Sequence, residues 1–228
     1  MSNFAPVRHL MARKGETLPP PAGLYDYLLA GNGVFIRAVK KGIRACVQIA
    51  ECDVRGLDII APLITFTWPR VPAALTAEML WRAQDETDAR GRPVEVLFHL
   101  VYAEARGWQL VKPPQKQSVG TVMPLPPFNA TYQSYTVEVH SHHTLDVHQF
   151  SATDDLSEGT LFRFFGLLYD LNGRPGLALR LNVYGYRCDV PAALVFELPD
   201  EIEDGSANWR VGQPDDEAAL SLPEVTDD

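Results

Sequence analysis

Between residues 137 and 155 the chain reads Val137-Glu138-Val139-His140-Ser141-His142-His143, then a polar loop, then Phe150-Ser151-Ala152-Thr153-Asp154-Asp155. The first run alternates in the manner of a strand, where residues i and i+2 face the same side about 6.6 Å apart at Cα. His140 and His142 can therefore turn their imidazoles toward one cation, with Ser141 facing away. Zinc accepts imidazole nitrogens and carboxylate oxygens at roughly 2.0–2.2 Å. Two histidines and one carboxylate leave a fourth position for water, the mark of a catalytic rather than a structural ion. The carboxylate is expected one turn into a helix that begins near Ser151. Ser151-x-x-Asp154 is also a helix capping box, and taken alone the spacing favours the cap. The two roles are compatible, and Asp155 is the neighbouring candidate ligand.

Working outward, Thr131 to His140 is rich in β-branched and aromatic residues and predicts a strand. Leu161 to Leu171 and Leu177 to Tyr184 flank Asn172-Gly173 and predict a hairpin. Pro191 to Leu198 predicts a last short strand. Upstream, Leu75, Met79 and Ala83 recur at helical spacing after Pro72, which suits the first turn of a helix. Val94 to Tyr102 and Trp108 to Val111 are strand-like around Arg106-Gly107. Residues 112–130 hold five prolines and read as a loop. Val34 to Val39 and Ile43 to Ile49 flank Lys40-Lys41-Gly42 as a second hairpin. These elements predict an α+β or α/β sandwich with a mixed sheet flanked by helices. The expected organisation is an extended arm over 1–22 ending in Pro19-Pro20-Pro21, a β-rich unit over 23–70, the principal domain over 71–199, and a tail over 200–228.

The tail carries ten acids against Arg210 and accounts for the whole net charge of −9, so the first 199 residues are near neutral. A near-neutral body excludes a basic nucleic-acid binder, and the acidic end is expected to be a solvated, disordered tail. Three cysteines without a C-x-x-C pair form no disulfide framework. No uninterrupted apolar run reaches 18 residues, so no membrane partner is expected. Residues 1–15 have no signal-peptide pattern, which makes a cytoplasmic location the expectation.

The run His140-Ser141-His142 followed by Ser151-x-x-Asp154 resembles the JAMM motif of the JAB/MPN metalloproteases, and the resemblance covers roughly residues 71–199. The resemblance implies a cytidine-deaminase-like JAB/MPN core and one Zn2+ per chain held by His140, His142 and Asp154. It also implies an upstream catalytic glutamate on the strand after the helix, a place that Glu95 fills. The implied reaction is metal-assisted hydrolysis of an isopeptide or peptide bond. Glu95 acts as general base toward water and Ser151 donates to the oxyanion. The implied substrates end in a ubiquitin-like β-grasp modifier. More narrowly, His140 to His143, Phe150 to Asp155 and the opening Leu29-Ala30-Gly31-Asn32-Gly33-Val34-Phe35 resemble the protein A family of the PRTRC cassette. That cassette is associated with ParB-like and E1-like (ThiF-type) proteins, which makes an E1-like protein an implied partner.

Two departures stand out. His143 occupies the place where the family usually has proline, and the stretch from His142 to Ser151 looks one residue longer than usual, which keeps Asp155 open as a ligand. Glu138 lies two residues before His140 on the same strand face and rivals Glu95, although an exposed strand acid is its more ordinary role. His99 follows Glu95 by four residues and reads as a packed core histidine. His143 and His148 are expected in a loop at the mouth of the site. The alternative to a hydrolase is a non-catalytic JAB/MPN-like scaffold that binds an E1-like or ubiquitin-like partner.

Overall fold

The computed structural model describes residues 6–125, 134–143 and 149–205, and these divide at Trp68–Pro69 into two compact units. Residues 131–133, His148 and the tail beyond Gly205 lie outside the described residues.

The first unit is a five-stranded sheet in chain order: β1 (Val7–Met11), β2 (Tyr25–Ala30), β3 (Gly33–Lys40), β4 (Ile43–Glu51) and β5 (Leu63–Phe66). The expected hairpin is β3–β4. Its turn needs Gly42 at φ +86°, because a Cβ there would lie 2.6 Å from the Trp68 ring. Alternate residues along β2 are buried, β3 is buried continuously from Phe35 to Ala38, and Leu28, Ala30, Phe35 and Cys46 form the core with Ile60 and Ala12.

The arm expected over 1–22 is corrected. Val7 to Met11 form an edge strand parallel to β2, and the proline run is tied down. Asp26 is fully buried and accepts from the Arg8 Nε at 2.6 Å and the Arg37 Nη2 at 2.6 Å. The same two guanidiniums donate to the Pro20 and Pro19 carbonyls. A polyproline stretch has no internal hydrogen bonds, so side-chain donors fix it where backbone ladders cannot.

The second unit is mixed α+β and mostly sheet, with two α-helices among the described residues. Its sheet runs β13 (Tyr186–Val190), β12 (Gly176–Val183), β11 (Phe162–Tyr169), β10 (Val137–Ser141), β6 (Leu97–Ala103), β7 (Gly107–Val111), with β14 (Glu203–Asp204) on β12. A two-stranded ribbon, β8 (Gln115–Ser118) and β9 (Thr121–Pro124), occupies part of the expected proline-rich loop. Helix α1 spans Ala73–Asp85 after Pro72 and buries Thr76, Met79, Leu80 and Ala83. Strand β12 is buried at every residue and β11 at all but one. Near-continuous apolar sequence is what strands covered on both faces require.

Strands β10 and β11 are parallel neighbours. Parallel strands cannot be joined by a tight turn, and the connection carries helix α2 (Ala152–Glu158). This crossover faces the N-terminus of α2 toward the end of β10. Three boundaries differ from the sequence reading. Residues 191–198 make a 3-10 turn at Ala192–Leu194 and a single bridge from Phe196 to Val71 rather than a strand. The acidic segment is ordered through Gly205, where Asp204 accepts from the amides of Ala192 and Ala193. Glu95 lies two residues ahead of β6 rather than within a strand.

Candidate metal centre

The end of β10 and the start of α2 bring His140, His142 and Asp154 together, with their ligating atoms all within 4.8 Å of one another. His140 Nε2 lies 3.3 Å from His142 Nε2 and 3.3 Å from Asp154 Oδ1. Ligands about 2.05 Å from a tetrahedral zinc stand about 3.3 Å apart, so both separations match edges of such a polyhedron. Two imidazole nitrogens turned on each other can share one hydrogen, and they can equally converge on a shared cation. The donor set, two nitrogens and a carboxylate oxygen, suits zinc.

Local sequence explains each placement. The i, i+2 spacing puts both imidazoles on one face, while Ser141 is buried on the other. There its hydroxyl accepts from the Val96 amide at 3.0 Å, and its own amide donates to the Val96 carbonyl. Asp154 makes the cap and still has an oxygen to offer an ion. Its Oδ2 accepts from the Ser151 amide at 2.6 Å and the Ser151 hydroxyl at 2.7 Å, closing the capping box, and its Oδ1 is left for His140.

Glu95 Oε1 lies 3.9 Å from His142 Nε2. It is beside the ligand group and outside it, where a carboxylate can reach a water in the fourth position. The β8–β9 ribbon secures this segment. The Glu95 amide donates to the Ser118 carbonyl at 2.9 Å, and Gln117 donates to the Glu95 carbonyl at 2.9 Å. Gln115 brackets the next turn of chain through the amide and carbonyl of Leu97. The sequence reading missed these glutamines. Their signal was weak, because prolines at 113, 114, 124, 126 and 127 surround them.

Electrostatics fit a cation site. Burial lowers the pKa of His140 and of His142, keeping both imidazoles neutral and ready to coordinate. Burial pulls Asp154 upward, but His140, the Ser151 donors and His142 together hold it below the usual carboxylate range. Burial, and then the charge of Asp154, push Glu95 up to about 7. A base poised near neutrality suits general acid–base work.

Two other expectations are corrected. Asp155 faces away from the ligand group, with its Oδ1 2.8 Å from Arg180 Nη2 and 3.4 Å from Arg187 Nε. Glu138 is buried rather than exposed and is bound to His99, whose Nε2 lies 3.1 Å from its Oε2. His99 is the core histidine expected, stacked on Tyr135 at 4.2 Å. His143 is half-buried beyond the end of β10, and burial lowers its pKa. Phe150, given no part in the site by the sequence reading, sets its ring 6.2 Å from that of His140.

Comparisons with protein-family models, with curated proteins and with solved structures find no match to this chain. No helix among the described residues is long and apolar enough to cross a membrane.

Proposed function

We propose that the chain is a zinc-dependent hydrolase. In particular, it is a JAMM-type peptidase on a JAB/MPN-like core that cleaves after the C-terminus of a ubiquitin-like β-grasp protein. The observation that carries the reading is the cluster of His140, His142 and Asp154, with His140 Nε2 3.3 Å from both His142 Nε2 and Asp154 Oδ1, beside the carboxylate of Glu95. When bound there, zinc supplies a Lewis acid that acidifies water and polarises the scissile carbonyl. Glu95 takes the proton from the attacking water and returns it to the leaving amine, so the carboxylate ends the cycle as it began. Ser151 donates its hydroxyl hydrogen to the developing oxyanion. An E1-like protein is the partner this reading favours.

Protein purified without added metal is expected to hold about one zinc per chain and to release a C-terminal extension from a β-grasp fusion, read by mass spectrometry. Glu95→Gln should retain zinc and lose cleavage, whereas His140→Ala should lose both. A wild-type protein that holds no zinc defeats the metal reading.

One observation favours the second reading, a metal-stabilised adaptor for an E1-like or ubiquitin-like partner. The Ser151 hydroxyl hydrogen is already donated to Asp154. Zinc retained without cleavage of any modifier fusion selects the adaptor.

A further inference from the structure

Helix α2 brings Asp154 to the metal centre, yet little apolar packing holds it. It is seven residues long, below the length at which a helix stands alone in water. Leu156 is 84% exposed, and Glu158 is its one buried residue. What anchors the helix is ionic. Arg180, itself buried in β12, directs Nε and Nη2 to Glu158 Oε1 at 2.9 and 2.6 Å and Nη2 to Asp155 Oδ1 at 2.8 Å. Its guanidinium carbon lies 3.9 Å from the centroid of the Phe150 ring. Phe150 packs in turn on Leu167, Tyr169 and Ala178 beside His140. Arg187 closes the cluster from Glu158 Oε2 at 3.2 Å. Arg180 therefore holds the chain immediately before the capping box, at Phe150, and immediately after the ligand, at Asp155.

We infer that Arg180 is the positioning residue that sets Asp154 Oδ1 against His140, so that the third ligand is delivered by a buried guanidinium gripping both flanks of the capping box. This inference rests on the metal reading above. A buried ion cluster is a costly way to hold a helix, and its best-attested benefit is a fixed position rather than added stability. The planar fork of arginine can grip two carboxylates and an aromatic face at once, which lysine cannot.

The test is zinc affinity by chelator competition, together with the visible spectrum of the cobalt(II) form as a reporter of ligand number. Outer partners of metal ligands typically contribute roughly 10- to 100-fold in affinity, and Arg180→Met is expected to lose that much. Arg180→Lys should recover part of the loss, and Arg187→Met, which does not reach Phe150, should lose less. Asp154→Ala should weaken wild type strongly but add little in the Arg180→Met background, because the ligand is already misplaced there. Additive losses would mean general destabilisation and overturn the inference, as would wild-type affinity in folded Arg180→Met. Should Arg180→Met not fold, Asp155→Asn decides. That side chain is partly exposed, and the variant is expected to lose several-fold in zinc affinity and shift the cobalt spectrum, with no loss counting against Arg180. A wild type that binds neither ion fails the metal reading itself, which is a different outcome from a wild type that binds and an unaffected Arg180→Met.

Discussion

At the scale of single residues, the site was legible where its signal was local. The i, i+2 histidines and the Ser-x-x-Asp turn need only neighbours in sequence, and the structure brings His140, His142 and Asp154 together. Partners distant in sequence were not legible. Nothing near Glu138 announces that His99, thirty-nine residues upstream, will bury it, and nothing near Asp155 announces Arg180. Glu95 gives a pH prediction. Its pKa in the folded protein is about 7 against an ordinary 4.5, with burial the main cause. Below pH 4.5 it is protonated folded and unfolded and costs nothing. Above pH 7 it is ionised in both, and the folded state bears the cost of burying the charge. Its contribution to the stability of metal-free protein therefore falls between those values, by about 2 to 3 kcal/mol. Chemical denaturation in chelator at pH 5 and pH 8 should show Glu95→Gln gaining on wild type at the higher pH. Parallel behaviour would mean that Glu95 is not desolvated.

At the scale of elements, hairpins and the amphipathic helix were readable because their periodicities are intrinsic. The β3–β4, β6–β7 and β11–β12 pairs and α1 fall where alternation and turn residues put them. The β8–β9 ribbon was not readable, because flanking prolines are the ordinary signature of a loop and here they sit at the ribbon's ends. That ribbon makes a prediction. Gln117→Ala removes a hydrogen bond to the Glu95 carbonyl at a stability cost of about 1 kcal/mol. On the proposed reaction it should lower kcat more than it changes zinc content, because it frees the base and leaves the ligands in place. Steady-state kinetics with metal analysis reads both. At α2, Asp154→Ala removes cap and candidate ligand together, whereas Ser151→Ala removes a cap side chain and the proposed oxyanion donor but no ligand. Ser151→Ala should cost about 1 kcal/mol in thermal unfolding while leaving most of the zinc bound.

At the scale of the whole molecule, the division near residue 70 was visible in the sequence as a change from β-rich runs to a proline-led helix. The assignment of 1–22 to an arm failed because parallel pairing of β1 with β2 depends on Asp26, which a reading of the polar N-terminal stretch does not connect to it. Asp26→Ala leaves the buried Arg37 without its counter-charge. It should destabilise the first unit by about 3–5 kcal/mol, measured by denaturant unfolding. Zinc affinity of the folded fraction should be unchanged, since every ligand comes from beyond Pro69. Cys46 lies in the same core, with its thiol pushed up to about 12 by burial, and should resist alkylation until that unit opens.

The divided duty of Asp154 bears on ion selectivity. With one oxygen committed to the helix turn, the carboxylate has a single oxygen left to offer an ion. Calcium seeks six to eight oxygens and often takes both atoms of a carboxylate, and magnesium insists on an octahedral oxygen shell. A pocket offering two nitrogens and a single oxygen has little to give either, so millimolar calcium or magnesium should fail to displace a borderline-soft ion from it.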